Sequence, residues 1–229
     1  VSLVAGLDTT SRHASIALVR DDQLVIEYNF VTRDELSATL VPAISFVLNS
    51  VGVAVRDIDL FGIGVGPGLF TGLRIGLTTL KGLLFSDPRP VVPVVTLEAL
   101  AWKLRQSRRV LVPLIDARRR EVYMAAYRFS GDDLPEEVLA PRLVCIDELP
   151  DILSDWKEMR FTGNGVSAYR RELNAMFPGF RSRGRSSFLA SEICRISVIR
   201  HARNESITRL EDLQPLYLRP PDAEATRRE

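Results

Sequence analysis

The sequence is poor in the side chains that most often hold metals. It has two cysteines, Cys145 and Cys194, and two histidines, His13 and His201. The cysteines show neither paired spacing nor a neighbouring histidine, so both are expected to be reduced and buried, as in a cytosolic protein. A transition-metal site needs three or four converging N, S or O ligands, and no metal is expected here. For the same reason no Ser/His/Asp or Cys/His nucleophile set can be assembled. Long apolar runs are also missing: none reaches the roughly 18 residues that span a bilayer. The chain opens in a strand pattern, without a basic segment leading into an apolar one, so no signal peptide is expected. The expected location is the cytoplasm, away from membranes. Charge of one sign is not in excess. Thirty Lys and Arg against 29 Asp and Glu leave +1, so no global field draws the chain to nucleic acid.

What is present is an ordinary globular composition, 229 residues with 46% hydrophobic and 26% charged. It suits one or two domains. The chain is organised around residues 62–76, Gly-Ile-Gly-Val-Gly-Pro-Gly-Leu-Phe-Thr-Gly-Leu-Arg-Ile-Gly. Residues 59–65 read as a buried strand. Gly66-Pro67-Gly68 sets a defined corner, because Gly admits positive φ and Pro fixes φ. Leu69, Leu73, Leu77, Leu80 and Leu84 then recur at helical spacing. Gly72, Gly76 and Gly82 lie in that helix, where each costs about 1 kcal/mol against Ala. Their presence implies that something approaches the helix backbone closely. A phosphate cradle at the helix start is one reading. However, no Lys-Ser/Thr follows as in a P-loop, and Leu69 replaces the third Gly of a dinucleotide fingerprint. The other reading is a structural strand-turn-helix joint.

In order, residues 2–7, 14–19 and 24–31 read as a three-strand meander, with the polar loop Asp8-Thr9-Thr10-Ser11 after the first strand. Residues 34–51 read as a helix with the stripe Leu36, Leu40, Ile44, Val47 and Leu48, widened by Val41 and Ala43, with Pro42 inside. Residues 91–95 are a strand, and Thr96 is the expected N-cap of a helix to about Gln106. A second strand-first pass follows. Strands are expected at 108–115, 121–129 and 137–145, a helix at 147–154 and a strand at 160–162. Gly163-Asn164-Gly165 opens a helix to about Ala175. A loop at 177–187, a helix at 191–203, a last strand at 215–218 and a frayed tail from 220 complete the chain. Two strand-first passes predict two lobes, 1–106 and 107–229. The fold expected is a two-lobed, duplicated α/β fold of the ribonuclease H-like type found in actin, hexokinase and Hsp70. In that superfamily Asp8, Thr9, Thr10 and Ser11 would form a phosphate-and-metal loop; a self-capped hairpin is the preferred reading for present activity.

The motif from Gly64 to Gly76 closely resembles the signature of the TsaB (YeaZ) family, which serves tRNA threonylcarbamoyladenosine biosynthesis. Asp116-Ala117-Arg118 with Glu121-Val122-Tyr123, Gly163–Gly165 and Pro215–Arg219 extend the resemblance. Two positions depart from it: Leu69 stands where Ser is common, and Leu36 where a His is frequent. The resemblance implies a non-catalytic partner of the related transferase subunit TsaD. It also implies pairing with itself when TsaD is absent, recruitment of the ATPase TsaE, and only indirect contact with tRNA. TsaD holds a metal through a His pair whose positions fall here on Thr96 and Leu100, with Glu98 between them. The implied state is no tightly bound cofactor, with ATP or ADP held near the assembled complex. The partner surface expected is a four-helix seam built from Leu36, Leu40, Ile44, Val47, Leu48, Leu69, Phe70, Gly72, Leu73, Gly76, Leu77 and Leu80. On that reading Leu77→Asp breaks binding and leaves the monomer folded. Two other readings are an active kinase-like or metallopeptidase-like enzyme, and a tRNA binder using Arg181, Arg183, Arg185, Arg195, Arg200, Arg203 and Arg209.

Overall fold

Two sheets carry the chain, and the second repeats the strand order of the first. In the computed structural model, which describes residues 3–32, 35–131, 133–179 and 186–219, β1 (Leu3–Asp8), β2 (His13–Arg20) and β3 (Gln23–Val31) form an antiparallel meander. β4 (Leu60–Gly66) joins β1 in parallel and β5 (Val91–Val95) joins β4, giving the order β3-β2-β1-β4-β5. In the second half β6 (Val110–Asp116), β7 (Glu121–Arg128) and β8 (Glu136–Cys145) form a meander, and β9 (Met159–Thr162) pairs in parallel with β6. The resulting order β8-β7-β6-β9 matches β3-β2-β1-β4. This duplicated topology is the two-lobed α/β fold of the actin, hexokinase and Hsp70 type. Asp34, Asp132, Arg181, Arg183, Arg185 and the tail from 220 lie outside the described residues.

The period of two in β1 decides which layer each side chain enters. Leu3, Ala5 and Leu7 join one core, with α1 (Leu36–Ser50) and α2 (Phe70–Leu83). Val4 faces the opposite side and joins a second core, shared with α3 (Thr96–Trp102) and α7 (Ala190–Ala202). β6 divides in the same way. Leu111 and Ile115 enter the second core, while Val110, Val112 and Leu114 enter a third. That third core is covered by α4 (Leu149–Ile152), α5 (Asn164–Ala168) and α6 (Arg170–Met176). The layers therefore run helix, sheet, helix, sheet, helix.

Several expectations are corrected. Splitting the chain at 106/107 assigns α7 to the second sheet, but α7 packs on β1, β2 and β4 of the first. Thr96 is the first residue of α3; the N-cap is Val95, and the Thr96 hydroxyl is buried without a partner. That helix ends at Trp102, short of Gln106. The helix after Gly163 is broken at Tyr169, which has φ −115° and starts a second helix. Residues 215–218 form no strand. They belong to a strap in which Ile207 pairs with Val91, Leu216 N–H donates to Val65 C=O at 2.7 Å, and Arg219 donates to Ala117 C=O at 2.7 Å. The strap joins the edge of the first sheet to the β6–β7 turn of the second. Cys194 is buried, whereas Cys145 is only half-buried.

Candidate functional site

The polar loop after β1 lies between the lobes. Asp8, Thr9 and Thr10 are buried. Thr10 N–H donates to Asp8 Oδ1 at 3.0 Å, an Asx turn of the self-capped kind, while Asp8 Oδ2 and Thr10 Oγ1 have no partner. Thr10, Ser11 and His13 face Ile115 and Asn164 of the second lobe across a cavity of about 30 Å³. That is room for about one water. Ligand pockets usually offer about 300–1,000 Å³, so the space enclosed here by the described residues is small for one.

The corresponding loop of the second lobe carries three arginines where a phosphate loop of this fold has glycine. Arg118, Arg119 and Arg120 all have positive φ, 64°, 54° and 59°. Arg118 N–H donates to Asp116 Oδ1 at 2.9 Å, and Arg120 pairs with Asp147 at 2.9 Å. The glycines of Gly163-Asn164-Gly165 are spent on packing: a Cβ at Gly163 would stand 2.3 Å from Leu114 O. Asn164 Oδ1 accepts the Asp116 N–H at 3.1 Å. Thr96 and Leu100, at the metal positions of the related transferase, line the same small cavity. Glu98 turns away and pairs with Arg200 at 2.7 Å, where burial raises its carboxyl despite the guanidinium. Among the described residues no three His, Cys, Asp or Glu converge. Of the proposed tRNA-binding arginines, Arg200, Arg203 and Arg209 pair with this chain's own acids.

Burial pushes the Asp8 carboxyl up from 3.8 to about 6, against the Thr10 N–H bond and the charge of Lys103. A raised folded-state value means that the folded chain holds the proton more tightly than the unfolded chain. This stability is complete below about 3.8 and is lost as pH rises through about 6. The displacement corresponds to about 3 kcal/mol at pH 8. Asp8→Asn keeps the acceptor for Thr10 and removes the charge, leaving one amide unpaired. It is expected to gain about 2 kcal/mol at pH 8 and almost nothing at pH 4. Thermal melts of both proteins from pH 4 to 8 check this; parallel profiles would refute it.

The expected seam is rearranged. Leu36, Leu40, Val47, Leu48, Gly72, Leu73, Gly76, Leu77 and Leu80 are buried in the chain's own fold, and Ile44 is half-buried. The close approach to Gly72 and Gly76 is real, but it comes from this chain. A Cβ at Gly72 would sit 2.1 Å from Thr9 O, and one at Gly76 2.1 Å from Thr9 Oγ1; around Gly82 nothing lies within 4 Å. Thr9 Oγ1 also donates to Gly72 C=O at 2.9 Å. The α2 glycines therefore clamp the β1–β2 loop.

What stays open is the outer side of the two helices. Leu69 and Phe70, 48% and 39% exposed, keep the outward place expected of them, and Val41 and Phe46 join them at 47% and 55%. Thr71, Arg74 and Thr78 complete the outer stripe of α2. Residues 36–50 contain no charged side chain. Phe46 packs on Tyr28 of β3, extending this surface to the sheet edge. Phe46 and Arg74 were not singled out from sequence. The signal available was the absence of charge across a helix that must also have a solvent side.

Known proteins agree with this architecture. Residues 31–194 match the family model described as "TsaD: tRNA N6-adenosine threonylcarbamoyltransferase". The "tRNA threonylcarbamoyladenosine biosynthesis protein TsaB" of Bacillus subtilis is 30% identical over 168 residues, covering 73% of each chain. Its Escherichia coli namesake is 31% identical over 162 residues, 67% of this chain and 68% of that one. The solved structure of YeaZ from Pseudomonas aeruginosa superposes with a TM-score of 0.81 at 25% identity, over 95% of this chain and 100% of that one. Sequence identity and superposition thus agree, and the chain belongs to the TsaB (YeaZ) family.

Proposed function

We propose that this protein acts in tRNA threonylcarbamoyladenosine biosynthesis as a non-catalytic partner that stabilises and activates the transferase subunit TsaD. The observation that carries the reading is the outer face of α1 and α2, where Val41, Phe46, Leu69 and Phe70 are exposed and residues 36–50 carry no charge. A stable interface needs about 800 Å² per partner, which two helices of this length can supply. The cavity of about 30 Å³ between the lobes supports the non-catalytic half of the proposal. Nucleotide then belongs to the assembled complex and to a TsaE-type ATPase. The same face would pair two copies of this chain when TsaD is missing, and tRNA would be met only through the complex.

Val41→Asp places a carboxylate on this face at a position half open to solvent, so the fold should survive. Sedimentation with the cognate TsaD is expected to show loss of the complex, with an unchanged monomer melt. Undiminished binding by Val41→Asp, or no binding by the unaltered chain, would refute the reading.

A further inference from the structure

We propose that Arg74 is the polar anchor of the α1/α2 face, held ready to receive one carboxylate from a partner surface that is otherwise apolar. This rests on the reading that the face binds a heterologous protein. Arg74 lies midway along the exposed stripe of α2, between Thr71 and Thr78. Its guanidinium carbon stands 4.0 Å from the centre of the Phe70 ring, one turn earlier. Its Nε donates to the Tyr217 hydroxyl at 3.3 Å, and the Phe70 and Tyr217 rings are 5.2 Å apart. Tyr217 is fixed by the strap, through Leu216 to Val65 on one side and Arg219 to Ala117 on the other. Among the described residues Arg74 makes no ion pair. One edge of the guanidinium is thus held by the chain, and the two terminal amines form an uncommitted fork.

A fork of this kind matches a carboxylate bidentately. Stacking and the Tyr217 bond fix the side chain beforehand, which reduces the entropy lost when a partner docks. Charge complementarity also chooses between partners. Neither α1 nor α2 contains an Asp or Glu. A second copy placed face to face would bury Arg74 against a helix pair that offers no carboxylate, and an unpaired buried charge is costly. Glu35, just before α1, is the nearest described acid in the sequence that a second copy could offer. A different protein presenting one carboxylate within an apolar helical face satisfies the fork without that cost. Arg74 is therefore a specificity determinant, favouring the heterologous pair over self-association.

The test compares the unaltered chain with Arg74→Met, Arg74→Lys and Glu35→Gln, measuring binding to cognate TsaD at low and high salt, self-association and thermal melts. Arg74→Met keeps length and apolar contact with Phe70, so an unchanged melt is expected. It should weaken the heterologous complex by about tenfold or more and flatten its salt dependence. Arg74→Lys, which keeps charge without the planar fork, should fall between. Self-association of Arg74→Met should hold or increase. If the unaltered chain binds TsaD and Arg74→Met binds within twofold of it, this proposal fails while the partner reading stands. If Arg74→Met and Glu35→Gln both abolish self-association, the carboxylate comes from a second copy and the proposal is overturned. Failure of the unaltered chain to bind TsaD removes both.

Discussion

Gly72→Val is expected to cost more than about 4 kcal/mol and leave little folded protein at 37 °C. The added Cβ would stand 2.1 Å from the carbonyl oxygen of Thr9, and the obstacle is backbone that no rotamer change moves aside. Two further methyl groups would follow it into the same space. The loop opposite cannot retreat easily. Leu69 N–H donates to Thr10 C=O at 2.7 Å, Thr9 Oγ1 donates to Gly72 C=O, and Asp8 and Thr9 are fully buried. Valine is a slightly better helix former than glycine, which offsets only a few tenths of a kcal/mol of the clash, on the order of their propensity difference. Gly82→Ala, in the same helix, is the counterpart. Nothing lies within 4 Å of its Cβ position, so only the backbone entropy changes, and a gain of about 0.5–1 kcal/mol is expected. Thermal melts of the two variants should move in opposite directions. A Gly72→Val protein melting like the unaltered chain would show that the clamp does not exist.

Leu77→Asp is expected to abolish folding, not just partner binding. Leu77 is 4% exposed and packs into the core with α1 and the first sheet. Truncating a buried leucine costs about 2–5 kcal/mol before the polar group is considered. The new carboxylate must then be desolvated or protonated, which adds several kcal/mol. The sum reaches the whole stability of a typical domain, about 5–15 kcal/mol. The outcome to look for is insoluble protein, or soluble protein without a cooperative melt. A folded Leu77→Asp monomer would mean that α2 is turned outward about its axis. The substitution therefore cannot serve as the clean interface probe that the sequence suggested; Val41→Asp takes that place.

The strand order was legible because buried parallel strands read as short apolar runs and their corners carry Gly, Pro and Asp. The duplication could be read from the strand-first order of both halves. The α2 glycines announced a close neighbour, but spacing along one helix says nothing about which chain that neighbour belongs to. From spacing alone Leu77 and Leu80 read as partner-facing, because the two helices carry more apolar groups than one sheet face is expected to absorb. The sheet absorbs them because Leu3, Ala5, Leu7, Ile16 and Leu18 all point to that side. The placement of α7 was not legible. Glu192 lies on its buried side, kept there by Lys103 at 3.0 Å, and a pairing between residues so far apart leaves no local trace. Similarly, Tyr217 could not be joined to Phe70 and Arg74 before the strap was known.

The position of α7 also governs the order in which the molecule can be completed. On the ribosome, β1, β2, β4 and β5 emerge well before residues 190–202, so the side of the first sheet that carries Val4, Ala17, Val19 and Val92 must wait for a helix made after the whole second sheet. The nascent chain therefore carries that greasy sheet side, covered only in part by α3, while β6 to β9 are being made. Its first half finishes folding only after its second half has been made.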